Sequence, residues 1–129
     1  MRLLRRKFKM KDKDNNVNDL KEKVKSFCED RDWDQFHNPK DLAIGIITEA
    51  SELLEYFRFK SEKEVGEILN SDKRKEITEE LADIMFFVLR FAQRYDVDLS
   101  KEIEEKIKKS AVKYPIEKAK GSNKKYTEF

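Results

Sequence analysis

Apolar residues recur along this chain at spacings of three and four positions, which is the period of an α-helix. The first such stretch predicts a helix over about residues 18–33, for which Asn16 and Asn18 are alternative N-caps. A second helix is predicted over about residues 38–57, because Asn38 is followed by a proline, which is typical of a helix start. Its apolar positions form a wide stripe.

The remaining helices are marked by caps and by a second wide stripe. A serine with a glutamate three positions later predicts a short helix over about residues 61–69. A long helix is predicted over about residues 72–95, and a last helix starts at Asp98 or Ser100 and ends before Pro115. The core face predicted for the long helix consists of Ile77, Leu81, Ile84, Met85, Val88, Phe91, Ala92 and Tyr95.

Four main helices joined by short links predict an all-α fold, a four-helix bundle with antiparallel neighbours. The stripes on the second helix and on the long helix are broad for one protomer of 129 residues, so we expect burial against a second copy. The predicted organisation is a basic, flexible N-terminal arm over residues 1–15, a helical domain over residues 16–114 and a C-terminal tail over residues 115–129.

Charged residues make up 43% of the chain with both signs interleaved, which indicates solvated helix faces. The net charge of +2 is unevenly distributed, because residues 1–13 carry seven basic side chains against one acidic side chain. This segment is either a solubilising tail or a contact to nucleic acid or anionic lipid. Since the rest of the chain is mildly acidic, we expect no nucleic-acid partner.

Cys28 is the only cysteine, so an internal disulfide is excluded and a reducing cytoplasmic location is expected. The longest uninterrupted apolar run covers residues 84–89, which is far too short to cross a membrane. The N-terminus lacks the apolar segment of a secretory signal, so neither export nor a membrane partner is expected.

Four acidic residues lie where the helical period predicts apolar surroundings. At about 100° per residue, Glu49 falls at the edge of the stripe on its helix, and Glu80 falls between two phenylalanines on the long helix. Glu52 and Asp83 follow three positions later and flank them. An ionised carboxylate in such a position is costly unless it has a partner.

Helical periodicity leaves two interpretations of these carboxylates open. In the first, they are strained acids in a groove that water reaches. In the second, a hard divalent cation removes their repulsion, and an oxygen-only ligand set favours Mg²⁺, or Mn²⁺, over zinc or copper. The only basic residues near these edges, Arg90 and Arg94, lie farther along the long helix.

The same residues carry a resemblance to a known family. The pattern E-x-x-E followed by E-x-x-D on two helices, at residues 49–52 and 80–83, resembles the all-α nucleoside triphosphate pyrophosphohydrolases (MazG-like). The chain is most similar to their dCTP pyrophosphatase branch in four segments, which are residues 31–37 (RDWDQFH), 39–42 (PKDL), 113–115 (KYP) and 125–128 (KYTE). The resemblance covers about residues 20–129.

This resemblance implies an enzyme of nucleotide-pool sanitation that hydrolyses a nucleoside triphosphate, such as dCTP or a modified dCTP, to the monophosphate and pyrophosphate. It implies that the four carboxylates are catalytic and hold Mg²⁺. It further implies homodimers or tetramers in which the nucleotide lies at the interface between subunits. Trp33 and His37 are expected to contact the nucleotide, whereas without the resemblance Trp33 and Phe36 would be core aromatics and His37 a cap or surface residue.

Two positions depart from that branch. It has tryptophan where this chain has Phe59, and often tyrosine where this chain has Phe87. Phe59 can still stack on a base, but Phe87 has no hydroxyl with which to form a hydrogen bond. Both remain candidate substrate contacts, and the preferred base is left open.

The chemistry of a triphosphate adds further candidates. Carboxylates alone repel phosphate, so metal must bridge the two, and either Glu49 or Glu52 is expected to orient the attacking water. The candidate phosphate contacts are Lys113, Lys124, Lys125 and Tyr126, for which ordinary surface charge is the alternative.

Other functions compete with this enzyme. A di-iron carboxylate bundle is excluded, because it needs Glu-x-x-His on two helices and the chain has one histidine. A nucleic-acid-binding module that uses the basic arm, and a non-catalytic helical oligomerisation protein, remain alternatives.

Overall fold

The computed structural model describes residues 11–129, and all regular structure within them is helical. The α-helices are α1 (Val17–Glu29), α2 (Pro39–Glu55), α3 (Glu62–Leu69), α4 (Arg74–Arg94), α5 (Leu99–Lys113) and α6 (Ile116–Ala119). Short 3-10 turns lie at Asp12–Asp14, Asp34–Phe36 and Tyr126–Glu128. The predicted all-α class is therefore confirmed for this part of the chain. Most of the basic arm predicted over residues 1–15 lies outside the described residues.

Side chains at the helix starts decide the alternatives left by the sequence. The Asn16 side chain accepts a hydrogen bond from the Asp19 backbone N–H (2.8 Å), and the Asp19 carboxylate accepts one from the Asn16 backbone N–H (3.0 Å). Asn16, rather than Asn18, therefore caps α1. Asp98, rather than Ser100, caps α5 by accepting from the Lys101 backbone N–H.

Two further predicted starts are confirmed. Asn38 caps α2 by accepting from the Asp41 backbone N–H at 2.9 Å, with Pro39 in the first turn. Ser61 and Glu64 form the predicted capping box at the start of α3. Both caps depend only on residues three positions apart, which is why the sequence alone identifies them.

The predicted end of α1 at residue 33 is wrong. The helix ends at Glu29, and Asp32 adopts a left-handed backbone conformation with φ of 55°. The Trp33 backbone N–H then donates to the Cys28 carbonyl at 3.0 Å, which closes the turn over the helix end. This turn leads directly into the 3-10 turn Asp34–Phe36.

The chain forms two compact units, one that extends to Asp96 and one over Val97–Phe129. The first contains α1 to α4 and the second contains α5 and α6. The residues predicted as a polar tail therefore include a short helix and a 3-10 turn. The four-helix bundle stays a prediction.

Helices α2 and α4 form the main packing contact of the first unit and run antiparallel. Gly45 lies against Phe87, and farther along α2 the Tyr56 hydroxyl donates to the Glu76 carboxylate at 3.3 Å. Residue numbers therefore increase along α2 in the direction in which they decrease along α4. Helix α1 packs on α4 through Phe27 and Phe86, whose ring centroids are 5.8 Å apart.

The buried apolar core lies where these three helices meet. Its members are Val24, Cys28, Leu42, Ile77, Leu89 and Ala92. Two residues predicted for the core face of α4, Leu81 and Met85, are instead 52% and 46% exposed, and Tyr95 is 38% exposed. The prediction fails for them because helical periodicity assigns a residue to an apolar face but does not show which part of that face a neighbouring helix covers.

Helix α2 carries a second apolar stripe that points away from α4, which we call the outer stripe. It consists of Ala43, Ile47, Ala50 and Leu54, at successive spacings of four, three and four, and all four residues are exposed. Ile47 is 66% exposed and Leu54 is 58% exposed. In the described residues, no helix is both long enough and apolar enough to pass through a bilayer.

Candidate active site

Three carboxylates from α2 and α4 meet where the two helices face each other. Carboxylate oxygens of Glu49, Glu52 and Glu80 all lie within 4.8 Å of one another. Glu49 and Glu80 are half-buried and Glu52 is exposed. This burial agrees with the helical period, which predicts that Glu49 and Glu80 lie closest to the apolar faces.

The acidic pair is incompletely hydrogen-bonded. The Oε2 atoms of Glu49 and Glu80 are buried and have no hydrogen-bond partner among the described residues. Burial, followed by the neighbouring carboxyl group of Glu52, raises the pKa of Glu49 from 4.5 to about 7. The same two causes raise the pKa of Glu80. The site therefore holds more negative charge than its surroundings stabilise.

Asp83 lies outside this group of three. It is exposed and follows Glu80 by three positions on α4. Its charge nevertheless contributes to the raised pKa of both Glu49 and Glu80. Of the four predicted ligands, three therefore come together and the fourth acts on them through its charge.

Neither of the basic residues near these helix edges neutralises the cluster. Arg90 and Arg94 form ion pairs with Asp34, and the Arg94 Nη1 to Asp34 Oδ2 distance is 3.6 Å. The two arginines on the same helix as Glu80 are therefore engaged by Asp34 rather than by the carboxylate cluster.

A cavity of about 310 Å³ opens beside the cluster. Its lining consists of Glu52, Glu55, Tyr56 and Glu80. Tyr56 lines this space, and its hydroxyl donates a hydrogen bond to Glu76. Burial, followed by the charge of Glu76, raises the pKa of the Tyr56 phenol, so the hydroxyl keeps its proton. The cavity gives a ligand access to two of the three clustered carboxylates.

An aromatic cluster connects three of the predicted substrate contacts. The ring of Trp33 packs edge-on against His37 (centroids 6.0 Å apart) and against Phe27 (5.5 Å). Phe27 packs on Phe86, which packs on Phe87 at 5.7 Å. Since Phe87 also lies over Gly45, the cluster extends to one turn of α2 before Glu49.

The sequence did not identify Arg90 as a central residue of this region. Its side chain is fully buried, and its Nε donates to His37 Nδ1 at 2.8 Å. Asp34 and Gln93 accept the other guanidinium bonds. Arg90 lies outside the core face predicted for the long helix, and two of its three acceptors, Asp34 and His37, lie more than 50 residues away in the sequence.

Phe59, unlike the residues of the aromatic cluster, is almost fully exposed. It is 97% exposed, with φ of 62°, and the Arg58 guanidinium lies 5.4 Å from its ring centroid. A left-handed conformation is costly for a residue with a bulky side chain. Phe36, predicted as a core aromatic, is also exposed.

The remaining predicted contacts belong to the second unit. Lys113 Nζ lies 4.9 Å from the Tyr126 ring centroid, and Tyr126 packs edge-on against Tyr114. Lys125 caps the turn Tyr126–Glu128 through its backbone N–H, which donates to Glu128. Lys124 lines a cavity of about 450 Å³ together with Lys118, Ser122, Glu128 and Phe129.

Comparisons with known proteins give a consistent result. The MazG-like family matches residues 44–129. The dCTP pyrophosphatase 1 proteins of Rattus norvegicus and Homo sapiens are each 33% identical over 114 residues, which is 88% of this chain and 67% of the relative. The crystal structure of a pyrophosphatase from Archaeoglobus fulgidus DSM 4304 superposes with a TM-score of 0.74 at 30% identity, covering 78% of this chain and 94% of that chain.

The region that matches the family includes the carboxylate cluster. The match to the relatives covers 88% of this chain and therefore also includes the segment that contains Trp33 and His37. Two independent kinds of likeness, in sequence and in fold, therefore agree. This chain belongs to the MazG-like family, on its dCTP pyrophosphatase-like branch, and is a nucleotide pyrophosphatase.

Proposed function

We propose that this enzyme is a Mg²⁺-dependent nucleoside triphosphate pyrophosphohydrolase whose active site is the carboxylate cluster. The observation that supports this proposal is the pair of buried carboxylate oxygens, one each on Glu49 and Glu80, that lack a hydrogen-bond partner. A buried acceptor without a donor is costly, and a hard cation is the ligand that would satisfy several such oxygens together.

The residues present fit such a cation. Glu49, Glu52 and Glu80 would hold it, and Asp83 would complete the set of ligands from the next turn of α4. When bound, Mg²⁺ would neutralise charge on the phosphate oxygens and polarise the scissile anhydride. Mn²⁺ has the same preference for oxygen and would serve the same role.

The protein side chains then have separate tasks. A water molecule that attacks a phosphorus atom needs an acceptor to orient it, and either Glu49 or Glu52 would supply this acceptor. Glu52 lines the cavity, and Glu49 lies beside it in the cluster. Helices α2 and α4 hold both carboxylates on rigid elements, so little reorganisation is needed during the reaction.

The identity of the relatives and the aromatic cluster both support dCTP, or a modified dCTP, as the substrate. The relatives are dCTP pyrophosphatases, and the aromatic cluster of Trp33, His37 and Phe87 offers flat surfaces for a base. Phe59 would stack on the nucleotide from an exposed position. The proposed phosphate contacts are Lys113, Lys124, Lys125 and Tyr126, and removal of damaged nucleotides from the cytoplasmic pool would be the physiological role.

We also infer that the enzyme works as a homodimer or tetramer with its site at a subunit interface. The outer stripe of α2 and the exposed Leu81 and Met85 of α4 are the apolar surfaces that support this inference. A second copy of this chain would cover them.

A pyrophosphate-release screen over all NTPs and dNTPs, with Mg²⁺, Mn²⁺ or EDTA, tests the reaction. We expect turnover that EDTA abolishes, with dCTP among the best substrates. The variant Glu80→Gln should lose at least about 100-fold in kcat/KM, because electrostatic contacts to the transition state usually have effects of this size. Turnover that persists in EDTA would refute the metal role.

The matched control is Glu79→Gln, which changes the neighbouring residue in the same way. Glu79 is exposed and pairs with Lys75 at 3.7 Å, away from the cluster. The control should keep its activity. Addition of Mg²⁺ should raise the melting temperature of the wild type and of Glu79→Gln, but not that of Glu80→Gln. Equal responses of all three proteins would place the metal elsewhere.

A further inference from the structure

The guanidinium group of Arg90 is held from three sides inside the first unit. Nε donates to His37 Nδ1 at 2.8 Å, Nη1 donates to Gln93 Oε1 at 2.6 Å, and Nη2 donates to the Asp34 carboxylate. The side chain has no exposed surface. A guanidinium has only donors and stays charged at any pH at which proteins fold, so Arg90 is a donor of fixed direction.

This contact determines where His37 carries its proton. Because Nδ1 accepts a hydrogen bond from Arg90, the single proton of the neutral ring must lie on Nε2. A proton on Nδ1 would set two donors against each other. The charged groups that face the ring are Arg90, Arg94 and Asp34, and burial together with the two arginines lowers its pKa below 6.5, against the opposing effect of Asp34.

The backbone of His37 is held as firmly as its ring. The Tyr95 hydroxyl, at the C-terminal end of α4, donates to the His37 carbonyl at 3.1 Å. The next residue, Asn38, caps α2. Asp34 also accepts from Arg94, so the whole segment over residues 34–38 is attached to the end of α4.

We propose that Arg90 is a positioning residue that holds His37 as the neutral tautomer with its proton on Nε2, so that the ring offers the nucleotide a hydrogen-bond donor. The ring would therefore select an acceptor atom of the nucleotide and reject an amino group at the same place, because two donors would then be left unpaired. This inference rests on the proposed function, in which His37 contacts the nucleotide.

Nitrogen NMR tests the tautomer without any substrate. His37 is the only histidine of the chain, so the imidazole ¹⁵N signals belong to one residue. At pH 7 we expect an unprotonated Nδ1 and a protonated Nε2 in the wild type. In Arg90→Gln the two tautomers should mix and the pKa of His37 should rise, because a neighbouring positive charge is removed. A wild-type ring that carries its proton on Nδ1 would overturn the proposal.

The control for this spectrum is Arg74→Gln. Arg74 lies at the other end of α4, where its Nη1 donates to the Leu69 carbonyl at 3.4 Å. The substitution Arg74→Gln removes a positive charge from the same helix, as Arg90→Gln does, and should leave the His37 signals unchanged. If Arg90→Gln does not fold, Arg90→Lys retains the charge but lacks the forked donors, and it should also mix the tautomers.

A double-mutant cycle tests whether Arg90 acts on the substrate through His37. Arg90→Gln alone should raise KM for the best nucleotide about tenfold, the effect of losing roughly one hydrogen bond, with little change in kcat. In a His37→Ala background, the same Arg90 substitution should have no further effect on KM. A merely structural role would instead give effects that multiply in the double variant, and that outcome would overturn the proposal.

The two failures are distinguishable. If the wild type hydrolyses no nucleotide, the proposed function fails, whereas the NMR spectrum still decides whether Arg90 sets the tautomer. If the wild type is active and the cycle is additive, only the role of Arg90 in substrate selection is lost.

Discussion

At the scale of single residues, the contact between Gly45 and Phe87 sets how closely α2 and α4 approach. A Cβ atom on Gly45 would lie 2.6 Å from two carbons of the Phe87 ring, which is too close for any van der Waals contact. The ring has little freedom to move away, since Phe86 packs against it at 5.7 Å. Glycine is therefore required here for packing, although it is a poor residue inside a helix.

Gly45→Ala should destabilise the protein by about 1–3 kcal/mol, because overpacking outweighs the gain in helix propensity. The control is Gly66→Ala in α3, where a Cβ would meet no atom within 4 Å. There alanine should stabilise the protein by up to about 1 kcal/mol. Urea unfolding of both variants checks the prediction, and stabilisation by both would contradict the close contact.

The carboxylate of Asp34 makes stability depend on pH. Its hydrogen bond with Arg90 lowers the pKa of Asp34 below 3.8, so the folded state favours the charged form. A lowered carboxylate pKa contributes stability that is fully present above the unfolded value of about 3.9 and is lost as the pH falls through the folded value.

We therefore expect Asp34→Asn to be less stable than the wild type at pH 7 and at pH 5 by a similar amount. The difference in the free energy of unfolding should shrink as the pH falls below about 4, because the unfolded chain binds a proton at Asp34 before the folded state does. Urea unfolding at several pH values measures it. A difference that stays constant down to pH 3 would mean that the charge of Asp34 is not what holds Arg90.

At the scale of the elements, each helix start depends on one side chain. Asn16 and Asn18 looked equivalent in the sequence, but only Asn16 forms the reciprocal hydrogen bonds of a capping box, and Asn18 lies within α1. Helix α1 carries Phe27 and Cys28 onto α4, so its start matters for the aromatic cluster as well as for local stability.

Asn16→Ala should cost about 1 kcal/mol, since it leaves backbone N–H groups of the first turn without an acceptor. Asn18→Ala should be neutral or slightly stabilising, because alanine has the higher helix propensity. Thermal unfolding of the two variants separates the positions. Equal losses at both would indicate that the helix start is shared between two caps.

At the scale of the whole molecule, the outer stripe of α2 requires explanation. Its four residues are exposed at strict helical spacing, whereas the opposite side of α2 carries the buried Leu42 and the carboxylate Glu49. A helix that is apolar on two sides is usually buried on both. The outer stripe is therefore the surface on which we expect a second copy to pack.

Ile47→Glu should weaken the assembly, because it would place a charge in an apolar interface. Light scattering after size-exclusion chromatography should show a shift to a smaller species, with nucleotide turnover reduced in parallel. Val112→Glu, on α5, is the control, since Val112 is 83% exposed and lies outside the outer stripe. A wild type that is monomeric at assay concentration would remove the basis of this prediction.

The sequence predicted the helical class, four main helices with a short fifth one, and the caps at Asn38 and Ser61, because each depends on residues within about four positions of one another. The half-buried positions of Glu49 and Glu80 followed for the same reason. The left-handed turn at Asp32, which ends α1, was missed because the signal of an aspartate in that conformation is weak.

Only the tertiary structure decided which distant residues meet. Two sets of contacts depend on the axial register of α4 against its neighbours. Arg90 pairs with Asp34 and His37, and Phe87 packs against Gly45. Periodicity places a residue on a face but gives no axial alignment between two helices, so it cannot select partners across them. The helical pattern thus determined that the acids lie near apolar faces. Only packing between helices brought three of their carboxylates within 4.8 Å of one another and paired the neighbouring basic residues, Arg90 and Arg94, with Asp34.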